Sequence, residues 1–197
     1  MAHSIAGAFK PNRNDNLCTP RILVECLEDY LRWWCYRNGI KQPYEVLIWC
    51  PFDKETSEYV LFFKSLGYSV IATHIDDGQD FFTYEPAQYD IIISNPPFSR
   101  KLDVFKRCNA LGKPWVMLSN LMCINYMEIG NYFADNPVEM IIPDKRVSFD
   151  GNPSSFCSGY FCKGFAEPSL SFVHLPHCNS GKDFIPSRMI EAYKGEV

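Results

Sequence analysis

From Thr19 and Pro20 onward, apolar residues recur at spacings of three and four: Ile22, Leu23, Cys26, Leu27, Tyr30, Leu31 and Trp34. That is the stripe of an amphipathic helix. Thr19 suits its N-cap, and Pro20 its first helical position, where the missing N–H has no partner to lose. Asn38-Gly39 ends it. The period then changes. Residues 45–50 form a short apolar run that reads as a buried strand, stopped by Pro51-Phe52. Asp53 can cap a helix over residues 54–66, which Gly67 closes. A second apolar run covers residues 69–73. A third, over 90–94, is β-branched and uninterrupted, as a central parallel strand covered on both faces requires. A helix is expected from about residue 99 to 111, and a fourth strand over 115–119.

Past Ile124 the alternation loosens. A helix over 126–134 leads to an apolar run at 138–142. Residues 146–149 precede a turn at 150–152, and β-prone stretches follow at 159–162 and 170–174. Strands and helices in this order predict an α/β fold: a doubly wound, mostly parallel, Rossmann-like sheet with antiparallel strands at its C-terminal edge. There is no internal repeat, low-complexity tract or interior linker. The expectation is one domain over 1–197, with residues 1–14 as a loose, flexible arm.

Composition narrows the partners more than the fold. A chain of 197 residues has room for one hydrophobic core. Its net charge of −4 supplies no general positive field, so nucleic acid would have to meet a local patch. Lys101, Lys106, Arg107, Lys113, Lys145 and Arg146 are candidates for such a rim, although a solvated helix face accounts for most of them. An aromatic content of 15% serves a core and base stacking equally well. The nine cysteines contain no CxxC pair, the first sixteen residues have no apolar core of a signal peptide, and no apolar run is long enough to span a bilayer. A reduced, cytoplasmic protein with free thiols and no membrane contact is expected. Cys157, Cys162, His174, His177 and Cys178 cluster in sequence, but their spacing is irregular and the stretch between is strand-like, so no metal is expected.

The informative chemistry is Asn95-Pro96-Pro97-Phe98, directly after the third strand. Two prolines fix two φ angles and so fix where their neighbours point. The carboxyl end of a central strand is where doubly wound sheets bind ligands. A rigid corner there, carrying an amide and a ring, suits a planar group bearing an NH₂. The Asn95 side-chain oxygen and the Pro96 carbonyl can each accept one amino hydrogen while Phe98 stacks on the ring face. Phe149 or Phe156 can supply a second ring.

With that loop the chain resembles the S-adenosylmethionine-dependent amino-group (N6-adenine) methyltransferases, whose signature is Asn/Asp-Pro-Pro-Tyr/Phe. The resemblance spans roughly residues 15–150 and implies the class I methyltransferase fold. It implies that Thr19, in a Thr-Pro motif, helps hold the methionine end of the cofactor. By the same resemblance, Cys50, Pro51 and Phe52 occupy the first cofactor loop, Asp76 binds the ribose hydroxyls, and Asp80 and Phe81 contact the cofactor adenine. Asn95, Pro96, Pro97 and Phe98 become the catalytic loop. One departure stands out. The family's first loop usually runs Asp-Pro-Phe-x-Gly-x-Gly, whereas residues 50–57 here contain no glycine and begin with Cys.

The implied reaction is direct transfer of methyl from S-adenosylmethionine to the N6 amino group of adenine in DNA or RNA, with no metal. After the catalytic loop only about a hundred residues remain, so no separate recognition domain fits. Its small size is similar to that of phage or mobile-element modification enzymes. Two alternatives keep the loop. The acceptor can be a glutamine side-chain amide in protein, also a planar NH₂, or the glycine-less loop can mark a methyltransferase fold that binds without transferring.

Overall fold

A computed structural model describes residues 18–149 and 157–175. A seven-stranded sheet forms its centre, in the order β2-β1-β3-β4-β6-β5-β7. The strands are β1 (Leu47–Cys50), β2 (Ser69–Ala72), β3 (Ile91–Ser94), β4 (Trp115–Asn120), β5 (Glu139–Pro143), β6 (Ser158–Lys163) and β7 (Leu170–Val173). Pairs β1–β2, β1–β3, β3–β4 and β5–β7 are parallel, while β6 runs antiparallel to both β4 and β5. This is the doubly wound, Rossmann-like α/β class expected, mostly parallel. The reversal is confined to β6, which lies inside the sheet; the edge strand β7 is parallel to its neighbour.

Period-two alternation sorts the strands onto two cores. Ile48, Cys50, Ile91, Ile93, Val116, Leu118, Tyr160 and Cys162 face one layer. Trp49, Ile92, Trp115, Met117 and Phe161 face the other. The first layer is covered by α1 (Arg21–Glu25), α2 (Glu28–Arg37) and α3 (Glu58–Ser65), the second by α4 (Lys101–Leu111) and α5 (Met127–Asp135). β3 is buried along its whole length, as its unbroken β-branched run requires.

Two helices start differently from expectation, and both differences bear on the site. The first predicted helix is broken at Cys26 and Leu27. The carbonyl of Leu23 turns out of the ladder to accept hydrogen bonds from the Tyr160 hydroxyl (2.7 Å) and the Cys26 thiol (2.9 Å), and the Leu27 N–H bonds Val24 instead. Thr19 makes no cap bond: Pro20 stands at the N-cap, without a side-chain bond. The third helix begins at Glu58 rather than near Lys54, because Asp53 does not cap it. Its carboxylate turns inward to Ser94, and residues 54–57 close a tight turn through Lys54 N–H to Ser57 Oγ (3.0 Å) and Ser57 N–H to Lys54 O (2.9 Å).

Candidate active site

In the strand order β2-β1-β3, the chain leaves β1 toward one side through α3 and returns to the other side at β3. At such a reversal the loops leaving the two central strands diverge and open a crevice at their carboxyl ends. A cleft of about 540 Å³ lies there, within the range of nucleoside-sized ligand sites. Residues 51–54 and 56–58 form one side of it. Asn95, Pro97 and Arg100 form another, with Cys18 and Thr19 beside them, and His74, Ile75, Asp80, Phe81 and Phe82 complete it.

Seven of the residues singled out from sequence therefore share one cavity: Thr19, Pro51, Phe52, Asp80, Phe81, Asn95 and Pro97. The rings make a continuous aromatic wall. Phe52 and Phe81 lie 4.9 Å apart between centroids, Phe81 and Phe82 5.6 Å, and Trp49 backs Phe81 at 5.4 Å. Asp80 shapes this wall. Its carboxylate accepts the Phe82 N–H (3.0 Å) and its carbonyl accepts those of Thr83 and Tyr84, which folds the segment into a turn.

The remaining singled-out residues sit elsewhere. Cys50 is wholly buried in the core, where burial pushes its thiol well above the ordinary range; it does not face the cleft. Pro96 is buried behind the loop. Phe98 is half-buried outside the cleft lining, with the Lys101 ammonium 5.1 Å from its ring centre. The Asp76 carboxylate is exposed and bonds the Lys54 ammonium at 2.7 Å, so it stands beside the cleft and not in its lining. Lys54 holds this carboxyl below its ordinary range.

Asp53 and Arg100 were not singled out as ligands, and both line the cleft. Asp53 is buried, and its Oδ2 accepts from Ser94 Oγ at 2.5 Å. Burial raises its carboxyl to about 6, against the opposing pull of its bonds to Ser94 and Ser57. A carboxylate kept from water at the edge of a cavity is a ready partner for a cation. The signal was present in the sequence as an acid three residues past the first strand, but a helix cap is the commoner fate of such a residue. Arg100 pairs with Asp103 (3.1 Å), and its guanidinium lies 3.7 Å from the centre of the Phe82 ring.

The loop without glycines lines an open cleft: its turn at 54–57 is closed by Ser57, and the Lys54 ammonium bonds Asp76 beside the cleft. Donor types around the cavity fit S-adenosylmethionine. Aromatic faces suit its adenine, and the Asp53 carboxylate suits its cationic end.

Asn95 Nδ2 donates to Thr19 Oγ1 at 3.1 Å, which ties the start of the described chain to the catalytic-loop candidate. Among the described residues, the Asn95 Oδ1 has no hydrogen-bond partner. The other predicted features are dispersed. Lys113 lies at the opposite end of the sheet, just before β4, with its ammonium 5.9 Å from the Tyr89 ring centre. Arg107 faces Glu85 at 3.8 Å, and Lys145 donates to the Leu175 carbonyl at 3.0 Å. Phe149 packs on the core beneath the first layer. Phe156, His177, Cys178, the 150–155 turn and the arm at 1–14 lie outside the described residues. His174 Nδ1 bonds Asp144 at 2.6 Å and Cys162 is buried in β6; among the described residues no cluster of His, Cys, Asp and Glu is arranged to hold a metal. No helix of the described residues is long and apolar enough to cross a membrane.

A second cleft, of about 640 Å³, opens beside the C-terminal end of α2, around Trp33, Tyr36, Ile40 and Tyr68. It is larger, but it lies away from the strand reversal, and its lining contains no carboxylate.

No protein-family model matches the chain, and no curated protein does. Among solved structures the chain is similar to the crystal structure of a predicted O-methyltransferase, protein Atu636 from Agrobacterium tumefaciens. Identity is 13%, the match covers 86% of this chain and 93% of that one, and the TM-score is 0.43. So distant a likeness assigns no role to any residue.

Proposed function

We propose that this protein is an S-adenosylmethionine-dependent methyltransferase that modifies the N6 amino group of adenine in nucleic acid. One observation carries the reading: the Asn95 amide opens onto the same cleft as an aromatic wall and a buried carboxylate. In this reading the methyl donor and its acceptor lie side by side in one cleft.

The cofactor supplies a methyl group already activated on a sulfonium, so the chain needs to position and polarise and has no covalent step of its own. Phe52, Phe81 and Phe82 offer faces to the cofactor adenine. Asp53 pairs with the α-ammonium, a role that a desolvated carboxylate fills better than an exposed one. Asn95 Oδ1 accepts one hydrogen of the target amine; Pro96, buried outside the cleft lining, is not placed to take the other. An aromatic amine is a poor nucleophile because its lone pair is delocalised into the ring. An acceptor placed for a pyramidal nitrogen helps free that pair as the N–C bond forms and the C–S bond breaks, and the nitrogen's surplus proton passes to water. A duplex target must present its base flipped out of the stack. Arg100 and Lys101, next to the loop, are the cations nearest the path of a phosphate backbone.

Calorimetry with S-adenosylmethionine and its demethylated product tests the cofactor. Absence of heat and of any thermal shift would reduce the protein to a binding module. Tritiated cofactor offered in parallel with DNA, tRNA and whole-cell protein tests the acceptor. N6-methyladenine in the digested polymer supports the reading, and label confined to protein glutamine would replace it.

A further inference from the structure

The second cleft has no part in the reaction proposed above, and its two walls are made of different chemistry. It lies among Pro43, Leu66 and Tyr68, which precede β1 and β2, and so at the amino ends of these parallel strands. The candidate active site lies at the carboxyl ends. The four residues of β1 alone separate the two by about 13 Å.

One wall comes from α2. Trp33 and Tyr36, three residues apart on that helix, stack at 5.4 Å between centroids and 23° between planes. Of the four tryptophans, Trp34, Trp49 and Trp115 are buried in the core, whereas Trp33 is only partly covered and Tyr36 is 55% exposed. The helix therefore holds a flat apolar platform at the edge of water. The other wall is the loop after α2. Gly39, at φ +70°, turns the chain back, and the Ile40 N–H returns to the Cys35 carbonyl at 3.0 Å. The Glu45 carboxylate accepts the N–H groups of Lys41 and Gln42, both at 3.0 Å, so the acid of this loop is engaged by its own backbone. Arg32 and Lys41 are the charged groups of the lining, and among the described residues it contains no carboxylate. Arg32 pairs with Glu28 at 2.7 Å, one turn back on α2, and Lys41 has no ion-pair partner among the described residues. In a chain of net charge −4, a cleft of this sign selects an anion.

We propose that this cleft is a second binding site and takes a nucleotide, with the base on the Trp33–Tyr36 platform and the phosphate at Lys41 and Arg32. A flat ring and an anion in one molecule match the two walls, and about 640 Å³ is ample for both. Every base has a π face, so the platform accepts any of them. A free nucleotide and an unpaired residue of a nucleic-acid strand carry the same two groups, and the test separates these sources. The proposal does not rest on the methyl-transfer reading.

Trp33 reports on its own site. Tryptophan emission of the full chain is followed as adenosine monophosphate is added, with Trp33→Phe as the blank that keeps the three buried indoles. The quench present in the wild type and absent in the blank is the signal from this cleft. Adenosine should bind about ten-fold more weakly than its monophosphate, because the charge-assisted contacts are gone. Inorganic phosphate alone should leave the emission unchanged. Tyr36→Ala should weaken the monophosphate by about ten-fold, the scale of one lost base stack. Lys41→Met should weaken it by about five-fold at low salt, a difference that fades as salt screens the pair, and Lys41→Arg should restore it. Both side chains are exposed, so the melting temperature should hardly move.

An oligodeoxyadenylate of about ten residues, within the span of a strand-binding groove, forms the second arm. Affinity per residue well above that of the monophosphate makes an unpaired strand the ligand, and equal affinity per residue makes it the free nucleotide; either supports the site. Flat emission with the oligonucleotide and with monophosphate up to about 10 mM, beyond the Kd of weak sites, would overturn it. So would equal quenching by adenosine and its monophosphate, or a quench unchanged in both Tyr36→Ala and Lys41→Met. Calorimetry that finds no S-adenosylmethionine binding removes the proposed function and leaves this titration to decide the second site.

Discussion

The two loops that leave β1 and β3 bound the same cleft and are held by different forces. The loop after β3 is stiff by covalent structure, since Pro96 and Pro97 fix their own φ angles and restrict the residues before them. The loop after β1 is held by polar bonds: Ser94 to Asp53, Lys54 N–H to Ser57, and the Lys54 ammonium to Asp76. A proline corner keeps its shape at any pH or salt concentration. A loop held by two carboxylates and an ammonium has no such independence. The side of the cleft that presents the Asn95 amide is therefore rigid, and the side proposed to receive the cofactor is tunable.

The largest effect should come from the rigid side. Asn95→Ala deletes one acceptor without loosening the prolines, so turnover should drop by about a hundred-fold or more, the scale of a lost transition-state hydrogen bond. Cofactor binding, measured by calorimetry, should stay within about two-fold. A parallel loss of both would mean that the amide belongs to the cofactor site, and the contrast between the loops would be gone.

On the tunable side, Asp53→Asn should move stability and affinity in opposite directions. Its folded carboxyl is raised from the usual 3.8 to about 6 by burial. Below about pH 4 the group is protonated in both states and contributes nothing. Between about pH 4 and 6 the unfolded chain releases its proton while the folded one keeps it, so stability falls as pH rises, by at most about 3 kcal/mol at neutrality. The asparagine variant removes this slope. At pH 7 it should be more stable by about 1–3 kcal/mol, with urea curves of the two proteins converging near pH 4. It should bind S-adenosylmethionine about ten-fold more weakly, because the partner of the ammonium is gone. Higher stability with unchanged affinity would leave Asp53 a burden without a ligand.

How far each loop was legible in the sequence follows the same division. Residues 95–98 could be read because proline carries its geometry with it, and the strand before them could be read because four buried β-branched or small residues allow little else. The sheet's parallel centre followed from such runs. What could not be read was set by tertiary partners. Asp53 next to the start of a helical pattern looks like a cap, and only the hydroxyl of Ser94, 41 positions away, turns it inward. Thr19 before Pro20 looks like a cap for the same reason, until the Asn95 amide, 76 positions away, engages it. The break after α1 depends on Tyr160, 137 positions from Leu23. No local pattern carries such bonds, and they are the ones that complete the site.

Asp76 gives the next smaller effect. Its replacement by alanine should weaken cofactor binding several-fold if its carboxylate takes the ribose hydroxyls, since the bidentate contact is charge-assisted but solvent-exposed. Thermal stability should hardly move, because the pair it forms with Lys54 stands in water. Unchanged binding would leave His74, whose Nδ1 accepts the Asp76 N–H at 3.1 Å, as the cleft-lining residue of that loop nearest the ribose.

The smallest effect is the most discriminating, since its sign alone decides between two roles for Lys54. The ammonium occupies the Asp76 carboxylate, so an incoming ribose must compete with it. Lys54→Met keeps most of the side chain's length and removes the competitor. Affinity for S-adenosylmethionine should therefore rise by about two-fold at low salt. The gain should fade toward 0.5 M salt, where screening shortens the Debye length to about 4–5 Å and weakens the wild-type pair anyway. Titrations of both proteins across that salt range measure it. If the variant binds more weakly at every salt concentration, Lys54 is itself a ligand, reaching the cofactor carboxylate. The loop after β1 would then grip the cofactor through a side chain where the loops it resembles in sequence have glycine.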